Sequence, residues 1–366
     1  GGWINAIIPI LIVPYYSVIG GWVIKYLIEY FAGHSKTLAG DAYFTTFISN
    51  GWSTEICFII FTLFTLGIIY AGVRNGIERV SKFMMPILIV LSLIIAVYSV
   101  TRPGAIEGVK YFLVPNFDHF SWMTVVSAMG QMFYSLSIAM GILITFGSYM
   151  KKDTSIEKST ENVEIFDTAI AIMAGLMIIP AVFAFSGGNA ETLKSGPALM
   201  FITIPKVFAN MGFGTAIGVV FFLLVLFAAV TSSIALTESA VSTFEDELHW
   251  SRKKSTVFMG MVMLLLGTLS CLGYGPLANF KILGMQFLDF FDFITNSVMM
   301  PIAAIATCLL VSKVVGVDKI EEEIKKDGQA FRRKKIFCFM IKYLCPLFAA
   351  IILISSVANA FGIITM

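Results

Sequence analysis

Long apolar stretches, separated by short polar or charged segments, dominate this chain. A membrane-spanning helix needs roughly 20 consecutive and mostly apolar residues. The pattern therefore predicts spanning helices at 5–31, 51–72, 80–101, 121–149, 162–187, 213–247, 255–274, 283–312 and 336–362. The residue-by-residue alternation that is typical of outer-membrane barrels is absent from the sequence. We therefore expect an all-α integral membrane protein with nine transmembrane helices.

One of these stretches carries polar residues where a spanning helix is normally most hydrophobic. Between Gly130 and Gly141 the sequence reads GQMFYSLSIAMG. Polar backbone at membrane depth is tolerated only where protein or water covers it, and interrupted helices often mark the substrate sites of secondary transporters. The pattern predicts unwinding near Phe133–Ser137, with half-helix ends that attract a cation and a carboxylate. A kinked helix that packs through small residues is the alternative.

Composition supports a membrane protein and argues against several other classes. The 366 residues are 58% hydrophobic and 13% charged, and mean hydropathy is +0.87. A soluble domain is nearer about 25% charged. The formal net charge of +2 and the absence of a basic stripe give no sign of a nucleic-acid partner. The five cysteines show no metal-site or disulfide spacing, and we expect them to be packing residues.

Lysine and arginine are unevenly shared between alternate loops, which predicts the orientation. Cytoplasmic loops of membrane proteins carry the excess of these residues. The richer set of loops contains Arg74, Arg79, Lys82, Lys151, Lys152, Lys158, Arg252, Lys253, Lys254, Lys313 and the basic residues of 319–335. This places Gly1 in the cytoplasm and Met366 outside it. The 313–335 loop is expected to contain a short surface helix.

Hydroxyl and carboxylate groups inside the predicted helices are the candidates for chemistry. Thr231, Ser232 and Ser233 could bind Na⁺, or their hydroxyls could bond back to helix carbonyls. Asp167 is either a functional intramembrane carboxylate or a charge that the helix N-terminus stabilises. Glu238 needs a cation or a proton as its partner. The Tyr15-Tyr16 pair should place a phenol in the bundle interior, where it seeks a hydrogen bond.

Enzyme chemistry has little support in the sequence. The three histidines lie in or beside loops, and none belongs to a metal-binding or catalytic motif. The nucleophile-elbow and phosphate-binding glycine patterns are absent. We therefore expect a protein that is not an enzyme.

Five segments, in family order, resemble the neurotransmitter:sodium symporter family. They are IVPYYSVIGGW (12–22), GIERVSKFMMP (76–86), GQMFYSLSIAMG with the following ITFGSYMKKD, GPALMFITIPKVF (196–208) and TSSIALTESAVSTFEDEL (231–248). The resemblance covers essentially the whole of 1–366 as one transmembrane transporter domain. It implies an inverted five-plus-five repeat resembling that of the bacterial leucine transporter, of which this chain supplies helices three to eleven. Without the first two helices, the chain by itself is expected to transport weakly or not at all.

The same resemblance implies two sodium sites. Ser135 and Asp167 match ligands of the first site, and Ala228, Thr231 and Ser232 match ligands of the second. Many family members have asparagine at the position of Asp167, and so the extra charge leaves chloride and proton dependence open.

The resemblance also implies a substrate pocket and two gates. The pocket positions are Ile12, Tyr16, Phe133, Tyr134, Ser135, Ser137, Met140, Ser232, Ser233 and Leu236. Within this set, Tyr16 corresponds to the residue that binds the substrate carboxylate and Tyr134 to an aromatic lid. Outer-gate positions are Gln131 and Asp292, and cytoplasmic-gate positions are Tyr149 and Asp246. The mostly apolar pocket favours a neutral or hydrophobic amino acid.

The sequence thus predicts a sodium-coupled amino-acid symporter in the cell membrane that works by alternating access. A proton-coupled carrier that uses Asp167 or Glu238 is one alternative. A regulatory membrane paralogue without transport is another, although it predicts loss of the Ser135, Thr231 and Ser232 hydroxyls, which are present. The particular amino acid, ion stoichiometry and oligomeric state are left open.

Overall fold

The computed structural model describes residues 2–189, 191, 193, 196–326 and 330–363, with the side chain of His119 excepted. In this part of the chain, eight helices are long and apolar enough to cross a membrane. They are α1 (Gly2–Phe31), α2 (Gly51–Tyr70), α3 (Val73–Val100), α6 (Ile156–Ser186), α7 (Gly214–Leu248), α8 (Arg252–Leu272), α9 (Phe287–Val315) and α10 (Lys334–Ala360). Two shorter helices, α4 (Trp122–Ser135) and α5 (Ile142–Ser148), occupy the stretch predicted to be interrupted.

The predicted interruption is confirmed, but it begins later than expected. Helix α4 continues to Ser135, and the irregular backbone occupies 136–141 rather than Phe133–Ser137. Ser137, Ala139 and Gly141 have positive φ angles of 54°, 60° and 75°. A left-handed conformation costs a residue with a Cβ about 1–3 kcal/mol, but costs glycine almost nothing. Alternating left-handed residues cannot continue an α-helix, and so the chain breaks here.

The start of α6 also differs from its prediction. The helix begins at Ile156 rather than 162, because the Ser155 hydroxyl caps it by accepting the backbone N–H of Lys158. Asp167 therefore lies about three turns inside the helix. The favourable effect of a helix N-terminus fades within its first turn, so the helix dipole does not account for this carboxylate.

Helix α1 forms the centre of the described core. It packs against α7, α2 and α8, and most of its faces are buried. Near one end, Tyr26 stacks with Phe222 of α7 and donates its hydroxyl to the Phe201 carbonyl at 2.8 Å. Phe201 belongs to the loop segment Leu199–Thr203, which these contacts hold against the bundle. These contacts join α1 to α7, and the interrupted helix lies beside them.

The interrupted helix itself is loosely held. Within 122–148, Met140 and Gly141 are the buried residues. The remaining short helices lie in the connecting loops, and the one predicted for 313–335 is confirmed at Val317–Lys325. The others are Ser35–Leu38, Tyr43–Ser49, Ala105–Leu113, Phe117–His119, Gly196–Ala198, Leu199–Thr203 and Ile204–Ala209.

Candidate functional site

A cavity of about 310 Å³ lies beside the break, between α1, α3, the interrupted helix and α7. Its lining residues are Tyr16, Met85, Tyr134, Ser135, Ser137, Met140, Ile142, Thr231, Ser232, Ala235 and Leu236. Eight of them are among the site residues predicted from the sequence. We call this space the central cavity.

Helical geometry explains why these residues meet. On α7, Thr231 and Ala235 are four residues apart, as are Ser232 and Leu236, and such pairs share a helix face. The same spacing from Thr231 could have identified Ala235, which the sequence argument missed. Met85 lies on a different helix, α3, and no pattern in the sequence indicated that it would line the cavity.

Ser135 and Asp167 form a direct bond at the end of the broken helix. The Ser135 hydroxyl, at the last residue of α4, donates to Asp167 Oδ1 at 2.6 Å. The bond uses the serine hydrogen and leaves its oxygen lone pairs free to face a cation. Hard cations prefer such oxygen ligands. The structure thus brings together the two residues assigned to the first sodium site, although Asp167 does not itself line the central cavity.

The hydroxyls of α7 have mixed surroundings. Thr231 donates to the carbonyls of Phe227 and Ala228, at 3.0 Å each, which is the local bonding considered as an alternative to ion binding. A donating hydroxyl still has lone pairs with which to accept a cation. Ser232 and Tyr16 both line the central cavity, one from α7 and the other from α1. The two hydroxyls thus lie at the space where a substrate carboxylate is predicted to bind.

Three predicted pocket residues do not line this cavity. Ile12 is 1% exposed and lies in the core. Ser233 is fully buried and its hydroxyl lies 3.2 Å from that of Thr65. Phe133 lines a second, mainly apolar cavity between the interrupted helix, α9 and α10.

Tyr15 joins α1 to α9 on the side predicted to face outward. Its hydroxyl donates to Asp292 Oδ1 at 3.2 Å and lies 3.3 Å from the Thr295 hydroxyl. Asn296 donates to Asp292 at 2.5 Å. The interior phenol predicted from the Tyr15-Tyr16 pair therefore has partners. Gln131, the other predicted outer-gate residue, is exposed.

A buried ion pair occupies the opposite side of the bundle. Glu238 is fully buried and accepts hydrogen bonds from Arg252 at 2.5 and 3.0 Å and from the Tyr149 hydroxyl at 2.7 Å. Arg252 also donates to the Ile69 carbonyl at 2.9 Å. Of the two partners predicted for Glu238, a cation or a proton, the structure shows a cation, Arg252 on the next helix. Asp246 is exposed, at the edge of another cavity.

Comparisons with known proteins agree with this arrangement. The model of the sodium:neurotransmitter symporter family matches residues 45–363. The uncharacterized sodium-dependent transporter YhdH of Bacillus subtilis is 32% identical over 367 aligned positions, covering 100% of this chain and 80% of that protein. An uncharacterized sodium-dependent transporter of Haemophilus influenzae is 30% identical and covers 94% of this chain and 76% of its own length.

A solved structure has the same overall arrangement. The crystal structure of MhsT in complex with L-phenylalanine superposes with a TM-score of 0.84 and 32% sequence identity, over 97% of this chain and 80% of that one. The match extends beyond single motifs to the placement of the helices. A multi-pass helical bundle with an interrupted helix, together with these sequence matches, identifies the chain as a member of the sodium:neurotransmitter symporter family.

Proposed function

We propose that the protein is a sodium-coupled symporter of neutral, hydrophobic amino acids that works by alternating access. The observation that supports this most strongly is the central cavity, where a tyrosine of α1, hydroxyls of α7 and the broken helix meet. Interrupted helices in such a position are typical of ion-coupled transport sites. Sodium would order the break, and the substrate carboxylate would complete the first ion site.

The lining of the central cavity supports an apolar substrate. Met140, Leu236 and Ile142 surround the space where a side chain would lie. Tyr16 supplies a hydroxyl for the carboxylate, and Tyr134 would cover the bound molecule. A volume of about 310 Å³ suits a large side chain, and MhsT, which shares 32% of its sequence, was crystallised with L-phenylalanine. We therefore assign leucine-sized to phenylalanine-sized amino acids as the substrate class.

Two sodium ions are proposed. The first would bind between Ser135 and Asp167, which already touch. The second would bind at α7 through the Ala228 carbonyl and the hydroxyls of Thr231 and Ser232.

The helices are proposed to correspond to the third to eleventh of the family's inverted-repeat fold, within one transport domain. The positive-inside bias would then place the start of α1 in the cytoplasm. The Tyr15–Asp292 contact and Gln131 of α4 would belong to the outer gate. The Tyr149–Glu238–Arg252 cluster, with Asp246, would belong to the cytoplasmic gate.

A proton-coupled carrier is the second candidate, because Asp167 is a carboxylate at a position where the family resemblance implies asparagine in many members. Uptake of radiolabelled L-leucine and L-phenylalanine, in cells that express the gene, separates the two. The proposal predicts uptake in the presence of sodium that falls to background when choline replaces sodium. This should hold at about pH 5.5 and at about pH 7.5, two values on either side of the usual histidine pKa. Uptake that persists in choline and grows at the lower pH would favour the proton-coupled carrier. Repeating the assay in gluconate tests chloride dependence.

A further inference from the structure

Two exposed lysines at the start of α8 each lie against an aromatic ring. Lys253 Nζ is 5.8 Å from the ring centre of Tyr70, at the end of α2. Lys254 Nζ is 3.9 Å from the ring centre of Trp250. Tyrosine and tryptophan are enriched at the membrane–water boundary, which places both ammonium groups at headgroup level. We call these four residues the lysine–aromatic surface.

The charges of these two lysines are not compensated by the protein. Their neighbour Arg252 is paired with Glu238 and Glu245. Among the described residues, Lys253 and Lys254 form no ion pair with any carboxylate. The nearby carboxylates of Asp246 and Glu247 line the cavity beside Gly2 and Thr145 instead. Two positive charges without a carboxylate partner therefore remain in the first turn of α8.

An apolar stripe leads directly away from Lys253 along α8. Val257, Met261 and Leu265 follow at four-residue spacing and are 58%, 57% and 68% exposed. Residues at this spacing lie on one helix face. The stripe is long enough to accompany a lipid chain through most of one leaflet, since the helix rises about 18 Å between Lys253 and Leu265.

Helix α2 runs beside this stripe and carries a similar face. The two helices pack closely, because Gly260 of α8 faces Leu66 and Gly267 faces the Phe58 ring. The outer face of α2 exposes Ile56, Ile60, Leu63, Phe64 and Tyr70. The two packed helices therefore both expose apolar side chains, and two cations lie at the same end of the pair.

We infer that this surface is a binding site for an anionic phospholipid. The headgroup phosphate would lie between the ammonium groups of Lys253 and Lys254, and an acyl chain would follow Val257, Met261 and Leu265. Anionic headgroups attract basic residues at the membrane surface, and the apolar stripe supplies the contact that a free anion could not use. The site lies outside the central cavity and does not depend on the proposed transport activity.

Native mass spectrometry of the purified protein, with added phosphatidylglycerol or phosphatidylcholine, tests this directly. The parent protein should retain phosphatidylglycerol in preference to phosphatidylcholine. The double variant K253Q/K254Q should lose this preference, with the affinity for phosphatidylglycerol reduced about ten-fold or more. Both lysines are exposed, so the variant should fold normally. K253R/K254R keeps the charges and should keep the lipid.

The matched control is K151Q/K152Q, which removes another pair of exposed neighbouring lysines in a loop of the same predicted side. It should leave lipid retention unchanged, and an equal loss there would show general surface attraction and overturn the proposal. Displacement of the lipid by inorganic phosphate alone would show a simple anion site and also contradict it. Retention that follows the dimer fraction, and is absent from the monomer, would show instead that the stripe contacts a second copy.

Discussion

Ser135 is both the last residue of a helix and a proposed sodium ligand. It ends α4, faces the central cavity and donates to Asp167 at 2.6 Å. Because the hydrogen of its hydroxyl points to the carboxylate, its oxygen lone pairs point elsewhere. A cation bound there would have two oxygen ligands, the Ser135 hydroxyl and the Asp167 carboxylate, which are joined by a hydrogen bond.

Replacing Ser135 by alanine should weaken sodium binding selectively. The variant S135A removes one oxygen ligand and the bond that orients Asp167, and hydrogen bonds to charged groups contribute about 1.5–3 kcal/mol. We expect the sodium concentration for half-maximal substrate binding to rise about ten-fold. The control is S148A, because Ser148 donates only to the Thr145 carbonyl of its own helix. An unchanged sodium response in S135A would remove this residue from the ion site.

Met140 should set the size of the side chain that the central cavity accepts. It is 4% exposed and lines the cavity. Shortening it in M140A should shift the affinity ratio of phenylalanine to leucine at least about ten-fold towards phenylalanine, because the change removes three heavy atoms and a single methylene in an apolar pocket already changes discrimination by about ten-fold or more. M140L conserves volume and should keep the parent ratio. Competition binding measures both, and equal ratios in all three proteins would contradict the assignment.

Pocket membership could be predicted for most positions, at the break as well as on the regular helices α1 and α7. Ile12 and Ser233 lie on those same two helices, but their side chains are buried against other helices. Phe133 was placed in the pocket, but it faces another cavity. Its direction depends on the packing of the interrupted helix against α9 and α10, which no local pattern contains.

At the scale of elements, the interrupted helix approaches α1 and α7 closely at Gly141. Gly141 has φ of +75°, and a Cβ there would lie 2.7 Å from the Ser239 hydroxyl oxygen and 2.9 Å from the Asn5 carbonyl oxygen. Both the conformation and the close approach require glycine. Helix α5 therefore contacts α1 and α7 through a residue that tolerates no side chain.

The variant G141A should consequently displace α5 and destabilise the protein by about 1–3 kcal/mol. The matched control is G130A in α4, where a Cβ would meet nothing within 4 Å. Alanine is the better helix former, so G130A should be neutral or slightly stabilising. Thermal unfolding in detergent distinguishes the two. Equal stability of G141A and G130A would show that the break does not depend on Gly141.

The Glu238–Arg252 pair joins α7 to α8 and should be needed for stability. Removing one partner of a buried pair leaves an uncompensated charge and costs about 3–5 kcal/mol. We expect R252Q to be strongly destabilised and E238Q/R252Q to recover much of the loss, because the double variant buries no charge. K151Q, an exposed charge change, is the control. A double variant no more stable than R252Q would contradict this account.

At the scale of the whole molecule, the sequence predicted the helical bundle well and its long-range pairings poorly. Apolar stretches of spanning length appear directly in the sequence, and eight continuous helices and one interrupted region match them. Helix starts moved where polar residues continued the helix, as at Ile156. Contacts such as Tyr15–Asp292, 277 residues apart, depend on how the helices are arranged in space. No single-helix pattern contains that information.

Sodium coupling of amino-acid uptake is the central claim, and one measurement tests it most directly. Radiolabelled L-phenylalanine uptake would be followed in membrane vesicles from cells that express the gene, first with an inward sodium gradient and then with equal sodium on both sides. The account predicts transient accumulation above equilibrium with the gradient, and none after the gradient is dissipated. The Ser135→Ala variant should need more sodium for the same accumulation. Accumulation that is unaffected by the sodium gradient would contradict the account.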